Sequence, residues 1–292
     1  MIDKIFAIYL GPEGLGRLGQ FLSLIAMVSI VAGGGIAIGV IKYVAEFKSD
    51  LHILNNHIAT ASMITLAFSA IIFVLLMLFA NKISVFLFQT SNYTHVIYAL
   101  AVIQILIGIS SLLLAILNGY QLVNHFAVVG VISSSLGCIG VIIGCAYFGL
   151  IGAMYGMLWF SSCQIFILLG WYHFFFKESW GYLKPSWHAE IGKNFSRYGL
   201  MQLVTVFSMQ IAQIYIRNII EGNASWHEVG YWQGLVKISD AYLLFITVVL
   251  SNYYLPRLSE LNTKTAILHE VASVYKIVLP TLLLLSLAVY AF

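Results

Sequence analysis

Charge is what this 292-residue chain has least of: Asp, Glu, Lys and Arg make up 9% of it, against 61% hydrophobic residues and a mean hydropathy of +0.95. A soluble domain carries about 25% charged residues, so this poverty excludes a water-soluble fold and predicts an integral membrane protein. Cysteine is scarce too. Cys138, Cys145 and Cys163 all fall inside apolar runs, at spacings that match no zinc or redox motif, and read as small packing residues. The histidines sit mostly near the ends of apolar runs, none at ligand spacing from acids or cysteines, so neither a metal site nor a cofactor is expected. A GxxxxGK[ST] loop is missing, which excludes direct use of ATP by this chain. The net charge of +3 is too small to argue for nucleic acid. Residues 1–10 lack the basic start and cleavage site of a signal peptide.

What is present is a series of long apolar runs. They predict an all-α polytopic bundle rather than an outer-membrane barrel, whose strands would alternate. Complete spans are expected at 18–41, 57–80, 96–117, 126–148, 150–176, 196–220 and 230–255, with partial helices at 1–10 and 277–292. A Gly- and Pro-containing turn, GPEGLGR, separates 1–10 from the first complete span, and the polar segment 42–56 follows that span. Residues 177–195 form the longest polar stretch and are expected to link a first bundle (1–176) to the first part of a second (196–292). Segment 256–276 is amphipathic and is expected to lie at the membrane surface. Alternating loops put nine basic residues on one side, among them Lys42, Lys177 and Arg257, against Arg17 and Lys82 on the other, so the first side is expected to be cytoplasmic.

A shift of 214 residues lays Leu15 and Gly16 on Val229 and Gly230, and Glu46 on Glu260. Hydropathy matches better than the letters. The shift implies two six-helix bundles of one orientation in the complete protein, with substrate held between them near the midplane. By this repeat the chain is truncated at both ends, lacking about 20 residues before Met1 and about 100 or more after Phe292.

Charges inside spans are the candidate functional groups, because each costs at least about 2.5–3.5 kcal/mol unless it faces protein or water. Lys237 and Asp240 lie three apart on one helix face, and serve either as substrate contact and coupling carboxylate or as a structural ion pair. Arg217 is a second candidate phosphate contact; the alternative is snorkelling to the headgroups from near its helix end. The 214-residue shift lays Asp3 and Lys4 on the Arg217 region, a candidate ion site and cavity cation. Lys42 and Arg257 follow equivalent spans and would capture an incoming headgroup, or simply anchor the loops. Gln20, Gln104, Gln164, Gln202, Gln210, Gln213, Gln233 and Ser239 could hydrogen-bond sugars, or one another across helices. The Gly33–Gly35 and Gly39 cluster allows bending or close packing.

Three motifs carry a family resemblance: LGPEGLG (10–16), YLKPSW (182–187) and EVGYWQGLVKISDAYLLFIT (228–247). The chain resembles the Wzx-type polysaccharide flippases, which include O-antigen and enterobacterial-common-antigen translocases, in a superfamily shared with drug exporters. The resemblance implies twelve helices in two bundles around a central cavity. It implies transfer of undecaprenyl-pyrophosphate-linked oligosaccharide from the cytoplasmic to the periplasmic leaflet of the bacterial inner membrane, without catalysis. It also implies a place beside the polysaccharide polymerase and chain-length regulator. The family pattern carries basic residues where this chain has NGYQLVNH (118–125), so no phosphate contact is assigned there.

Two other transport or scaffold readings and an enzyme are weighed against this. A drug exporter would want an acidic cavity, whereas Lys4, Arg217 and Lys237 outnumber Asp3 and Asp240. An enzyme would want carboxylate pairs, and the longest loop offers only Glu178 and Glu190. A non-transporting scaffold would not need buried Lys237 and Asp240.

Overall fold

In a bilayer every backbone N–H and C=O must find a partner within the protein, and for apolar runs of this length the solution is a helix. The computed structural model describes residues 2–175 and 186–249, with Tyr275, Lys276 and Pro280 beyond. Its helices are α1 (Ile2–Ala32), α2 (Ala37–Phe47), α3 (Leu51–Phe88), α4 (Thr94–Gly119), α5 (Val123–Ser162), α6 (Gln164–Phe175), α7 (Ala189–Asn223) and α8 (Trp226–Val249). There is no strand among the described residues.

Five stretches are long and apolar enough to cross a membrane: Ile8–Ala32, Leu51–Phe88, Thr94–Gly119, Val123–His173 and Ala189–Asn223. The fourth holds two passes, because α5 folds back at Gly149, where φ is 57°. Gly144 and Gly152 press together across the two arms, and Gly156 backs onto Val141, so small residues let the backbones touch. This is a multi-pass, all-α membrane protein. α8 is not among the five, since Glu228, Lys237 and Asp240 interrupt its apolar run.

Several helix bounds differ from expectation. The GPEGLGR turn is confined to Gly11 (φ 64°), and helix resumes at Pro12, where a proline ring suits a helix start. Segment 42–56 is largely helical, because α2 runs to Phe47 and α3 begins at Leu51. The Asp50 carboxylate caps α3 by accepting from the backbone N–H groups of His52 and Ile53, both at 3.1 Å. The pass expected at 150–176 is interrupted at Cys163, between α5 and α6. Helices continue past the bilayer because polar residues there meet water without breaking the backbone ladder. The surface segment expected at 256–276 lies outside the described residues, apart from Tyr275 and Lys276.

The span expected at 18–41 is broken at residues 33–36. Gly34 and Gly35 adopt φ of 68° and 66°, a left-handed conformation that side chains disfavour. A break inside a membrane leaves helix-end carbonyls without partners. Here the Ser69 hydroxyl of α3 donates to the Ala32 carbonyl at 2.9 Å. Gln104 of α4 in turn donates to the Ser69 carbonyl at 2.8 Å. All three residues are buried. The break is built in and satisfied.

Residues 1–233 form one compact unit and 234–292 a second, so α8 begins in the first and continues into the second. Within the first, Leu18, Phe21, Leu100, Met154 and Leu158 build the main core from α1, α4 and α5. A second cluster, with Val40, Val44, Leu54, Ile116 and Phe195, joins α2, α3, α4 and α7. The 214-residue shift pairs Gly16 with Gly230 and Gly19 with Gln233, and these pairs touch. A Cβ at Gly16 would stand 3.0 Å from the Gly230 nitrogen, and one at Gly19 would stand 2.6 Å from Gln233 Oε1. In the second unit, Leu243 and Leu244 are exposed, an apolar surface of the kind that faces lipid.

Candidate functional site

α7 carries Arg217 six residues before its last position, on the face that packs against α1. The side chain is 3% exposed, so it does not snorkel; the headgroup alternative is replaced by full burial. Its Nε donates to Gln233 Oε1 at 2.9 Å, and its Nη1 donates to Gln20 Oε1 at 3.3 Å and to Ser23 Oγ at 2.9 Å. The Trp232 ring lies 5.9 Å from the guanidinium carbon, within cation–π range. Gln20 Nε2 donates onward to Asn218 Oδ1 at 2.6 Å. Thus α1, α7 and the first turns of α8 meet around one cation.

All of these partners are neutral. No carboxylate pairs with Arg217 among the described residues, whereas Arg17 pairs with Glu13 at 2.7 Å. A buried charge normally needs a counter-charge, because desolvation costs several kcal/mol. Neutral amides and a hydroxyl give charge-assisted bonds worth roughly 1.5–3 kcal/mol each, but they leave the positive charge uncancelled. The two N–H groups of Nη2 have no hydrogen-bond partner among the described residues. A guanidinium in this condition keeps two diverging donors on one nitrogen, each able to give a charge-assisted bond to an anion. Beside it, Asn218 also lines a cavity of about 490 Å³ with Asn81, Lys82, Val85, Phe86 and Gln89, adding a second cation and further amides.

The other predicted site residues are placed elsewhere. Lys42 is exposed on α2, with its ammonium 5.0 Å from the Tyr43 ring and 5.8 Å from the Tyr198 ring. It lies outside the five crossing stretches, and its pKa is raised above the usual lysine value, first by a hydrogen bond with Tyr198 and then by the charges of Tyr198 and Tyr43. Tyr198 and Arg217 are 19 positions apart on α7, about 28 Å at 1.5 Å per residue, so the fold does not bring Lys42 to Arg217. In the second unit Lys237 is half-buried and Asp240 exposed, three positions apart on α8. Asp3 and Lys4 lie in the first turn of α1, with their side chains outside the described part, and Arg257 lies outside the described residues altogether.

Two partners of Arg217, Gln20 and Gln233, stand out in the sequence as amides in apolar surroundings. Ser23 and Asn218 carry no such signal, since a lone serine or a helix-end asparagine is commonplace. Only the approach of α1 to α7 selects them.

Comparison with known proteins follows the same lines. A family model described as "Polysaccharide biosynthesis protein" matches residues 4–262. The lipid III flippases of Escherichia coli (strain K12) and Shigella flexneri are each 33% identical over 296 residues, covering 99% of this chain and 70% of the relative. Among solved structures, an inward-facing multidrug resistance MATE family transporter of the MOP superfamily has a TM-score of 0.73 at 18% identity, covering all of this chain and 68% of the other. A MATE P26A mutant has a TM-score of 0.64 at 20% identity, with coverage of 100% and 67%. The helix arrangement is that of the MATE fold, and the chain belongs to the polysaccharide biosynthesis protein family.

Proposed function

We propose that this protein is a flippase for undecaprenyl-pyrophosphate-linked oligosaccharide, moving it from the cytoplasmic to the periplasmic leaflet of the bacterial inner membrane. The observation that carries the reading is Arg217: a buried cation with no acidic partner among the described residues and two N–H groups uncommitted. A pyrophosphate supplies the missing negative charge and accepts both bonds. Names of relatives point the same way, since they are flippases for a lipid. In this orientation Lys42 and Arg257 stand on the cytoplasmic side and receive the headgroup. Arg217 takes the phosphates along the route, Lys237 and Lys4 are further candidate cations by their place in the sequence, and the cavity beside Asn218 opens to the periplasm. The glycan crosses in the polar interior, while the polyprenyl tail stays on the apolar, lipid-facing side of the helices.

No ATP loop is present in the chain, so an ion gradient drives the cycle, with Asp240 and Asp3 as the coupling carboxylates. Surface polysaccharide polymerase and its chain-length regulator take the product on the periplasmic side. A cationic drug, the cargo of an exporter reading, would find a like charge at Arg217 and no carboxylate beside it among the described residues.

The test is complementation of a flippase-deficient strain with the complete reading frame and with Arg217→Ala, Lys237→Ala and Asp240→Ala. The unaltered protein restores surface glycan. Each variant lowers it by at least about tenfold, the loss of one charge-assisted contact. Normal glycan from all three variants would remove the assigned sites, and failure of the unaltered protein would sink the function itself.

A further inference from the structure

The helix break at 33–36 does more than bend a span: it makes room. A cavity of about 420 Å³, a size typical of ligand pockets, opens where the break, α3 and α7 meet. Its walls include Met63, Ala67 and Phe68 from α3 and Ser196, Gly199 and Leu203 from α7. The lining is almost wholly apolar, and its rims at Met63 and Leu200 are exposed on stretches that cross the membrane, so it opens onto lipid. Backbone contact holds it open. A Cβ at Gly35 would stand 2.9 Å from the Gly199 carbonyl oxygen, and one at Gly34 would stand 2.7 Å from Ile64 Cγ2. The lining positions on α7 run from Gly192 to Leu203, about 16 Å of helix rise, which makes an elongated slot.

One end of the slot is marked. Trp187 closes it, tied to α3 by the Ser186 N–H to Ala59 carbonyl bond at 3.3 Å and by a His188–Thr60 side-chain bond at 3.2 Å. Lys193 and Arg197 are exposed beside the lining residues Gly192 and Ser196, and Lys42 lies over Tyr198 beside Gly199. Glu46 and Glu190 are the carboxylates on the same helical turns, so cations are in excess. The opposite end, at Phe68 and Leu203, is apolar.

We infer that this slot seats the isoprenoid tail of the lipid-linked glycan, with its phosphates against Lys42, Lys193 and Arg197. The inference rests on the flippase reading and adds to it that the tail is held by the protein rather than trailing in the bilayer. An apolar slot with cations at one end fits a single chain carrying an anionic head.

The test uses the full-length protein in vesicles of phosphatidylglycerol and phosphatidylethanolamine. A photoreactive benzoylphenylalanine replaces Leu203 in the slot or Val131, exposed on α5, as control. Radiolabelled undecaprenyl pyrophosphate labels the Leu203 site but not the Val131 site, and excess unlabelled undecaprenyl pyrophosphate displaces it where extra phosphatidylglycerol does not. Equal labelling at both positions overturns the inference, and so does displacement by phosphatidylglycerol, which would make the slot an ordinary phospholipid site. In a transport arm, Ala67→Trp fills the slot from an exposed position. It slows flipping of an undecaprenyl-linked glycan about tenfold, a typical overpacking cost, while a two-isoprene analogue moves within about twofold of the unaltered rate. Equal rates for both lipids in the variant overturn the slot and spare the flippase reading. If the unaltered protein moves neither lipid, the flippase reading falls, and the cross-link alone then decides whether the slot takes isoprenoid.

Discussion

At one end α7 meets α1 through Arg217, Gln20, Ser23 and Asn218; towards the other it meets the α1–α2 break through Gly199 and Gly35. The first contact is a set of directional bonds around an uncancelled charge, which a phosphate could replace one for one. The second is backbone against backbone, with no side chain to exchange and no polar group for a ligand to claim. Bonds that a ligand can take over suit a contact that opens, and glycine-to-backbone packing suits one that stays shut. The contrast assigns an exchangeable phosphate contact to the arginine end and a fixed helix contact to the glycine end.

Substitutions separate these roles. Gly35→Leu has the largest expected effect: a side chain in a left-handed conformation, driven into the Gly199 carbonyl, costs about 2–5 kcal/mol. Thermal unfolding in detergent measures it, and glycan flipping falls along with the folded fraction. Arg217→Ala is expected to split the two readouts. Flipping drops at least about tenfold, while the unfolding midpoint holds or rises, because removing an uncompensated buried charge relieves its desolvation. A midpoint that falls as far as that of Gly35→Leu would mean the arginine end is structural too.

Gln233→Leu comes next, with an interhelical bond of about 0.6–1.7 kcal/mol removed. In a double-mutant cycle with Arg217→Ala it should prove strongly non-additive, since the Gln233 Oε1 bond exists only with the guanidinium. The smallest effect belongs to Lys42→Gln. The Lys42 pKa is raised in the folded protein, so its contribution is complete below the unfolded value and is lost only as pH rises through the raised one. Flipping by this variant therefore differs from the unaltered protein by the same factor across the neutral range, as measured by vesicle assays at stepped pH. A ratio that changes there would show that another group titrates with the substrate.

Much of the fold could be read from hydropathy, because burying a polar backbone in lipid leaves so few solutions. The runs at 57–80 and 96–117 fall within α3 and α4, and the abrupt passage at Gly149 is a reversal between two arms. Helix ends could not be read, since water satisfies the backbone beyond the bilayer and lets α2 and α3 extend through residues that look like a loop. The Gly33–Gly35 cluster left bending and close packing both open; that it breaks the helix depends on Ser69 and Gln104 being present to satisfy the exposed carbonyl. Among the charges, sequence favoured Lys237 and Asp240 for their central place in a span. Arg217, near a helix end, is the one that the first unit buries among the described residues.

Composition alone determined that this is a multi-pass helical membrane protein, because a bilayer tolerates little else from a chain so poor in charge. The tertiary structure decided which polar residues act together. Gln20, Ser23, Arg217 and Gln233 are scattered over more than two hundred positions, and only the close approach of α1, α7 and α8, permitted by Gly16, Gly19 and Gly230, places them around one guanidinium. Hydrophobicity is a sum over the chain and survives in its letters; a hydrogen bond depends on distance, which the letters do not hold.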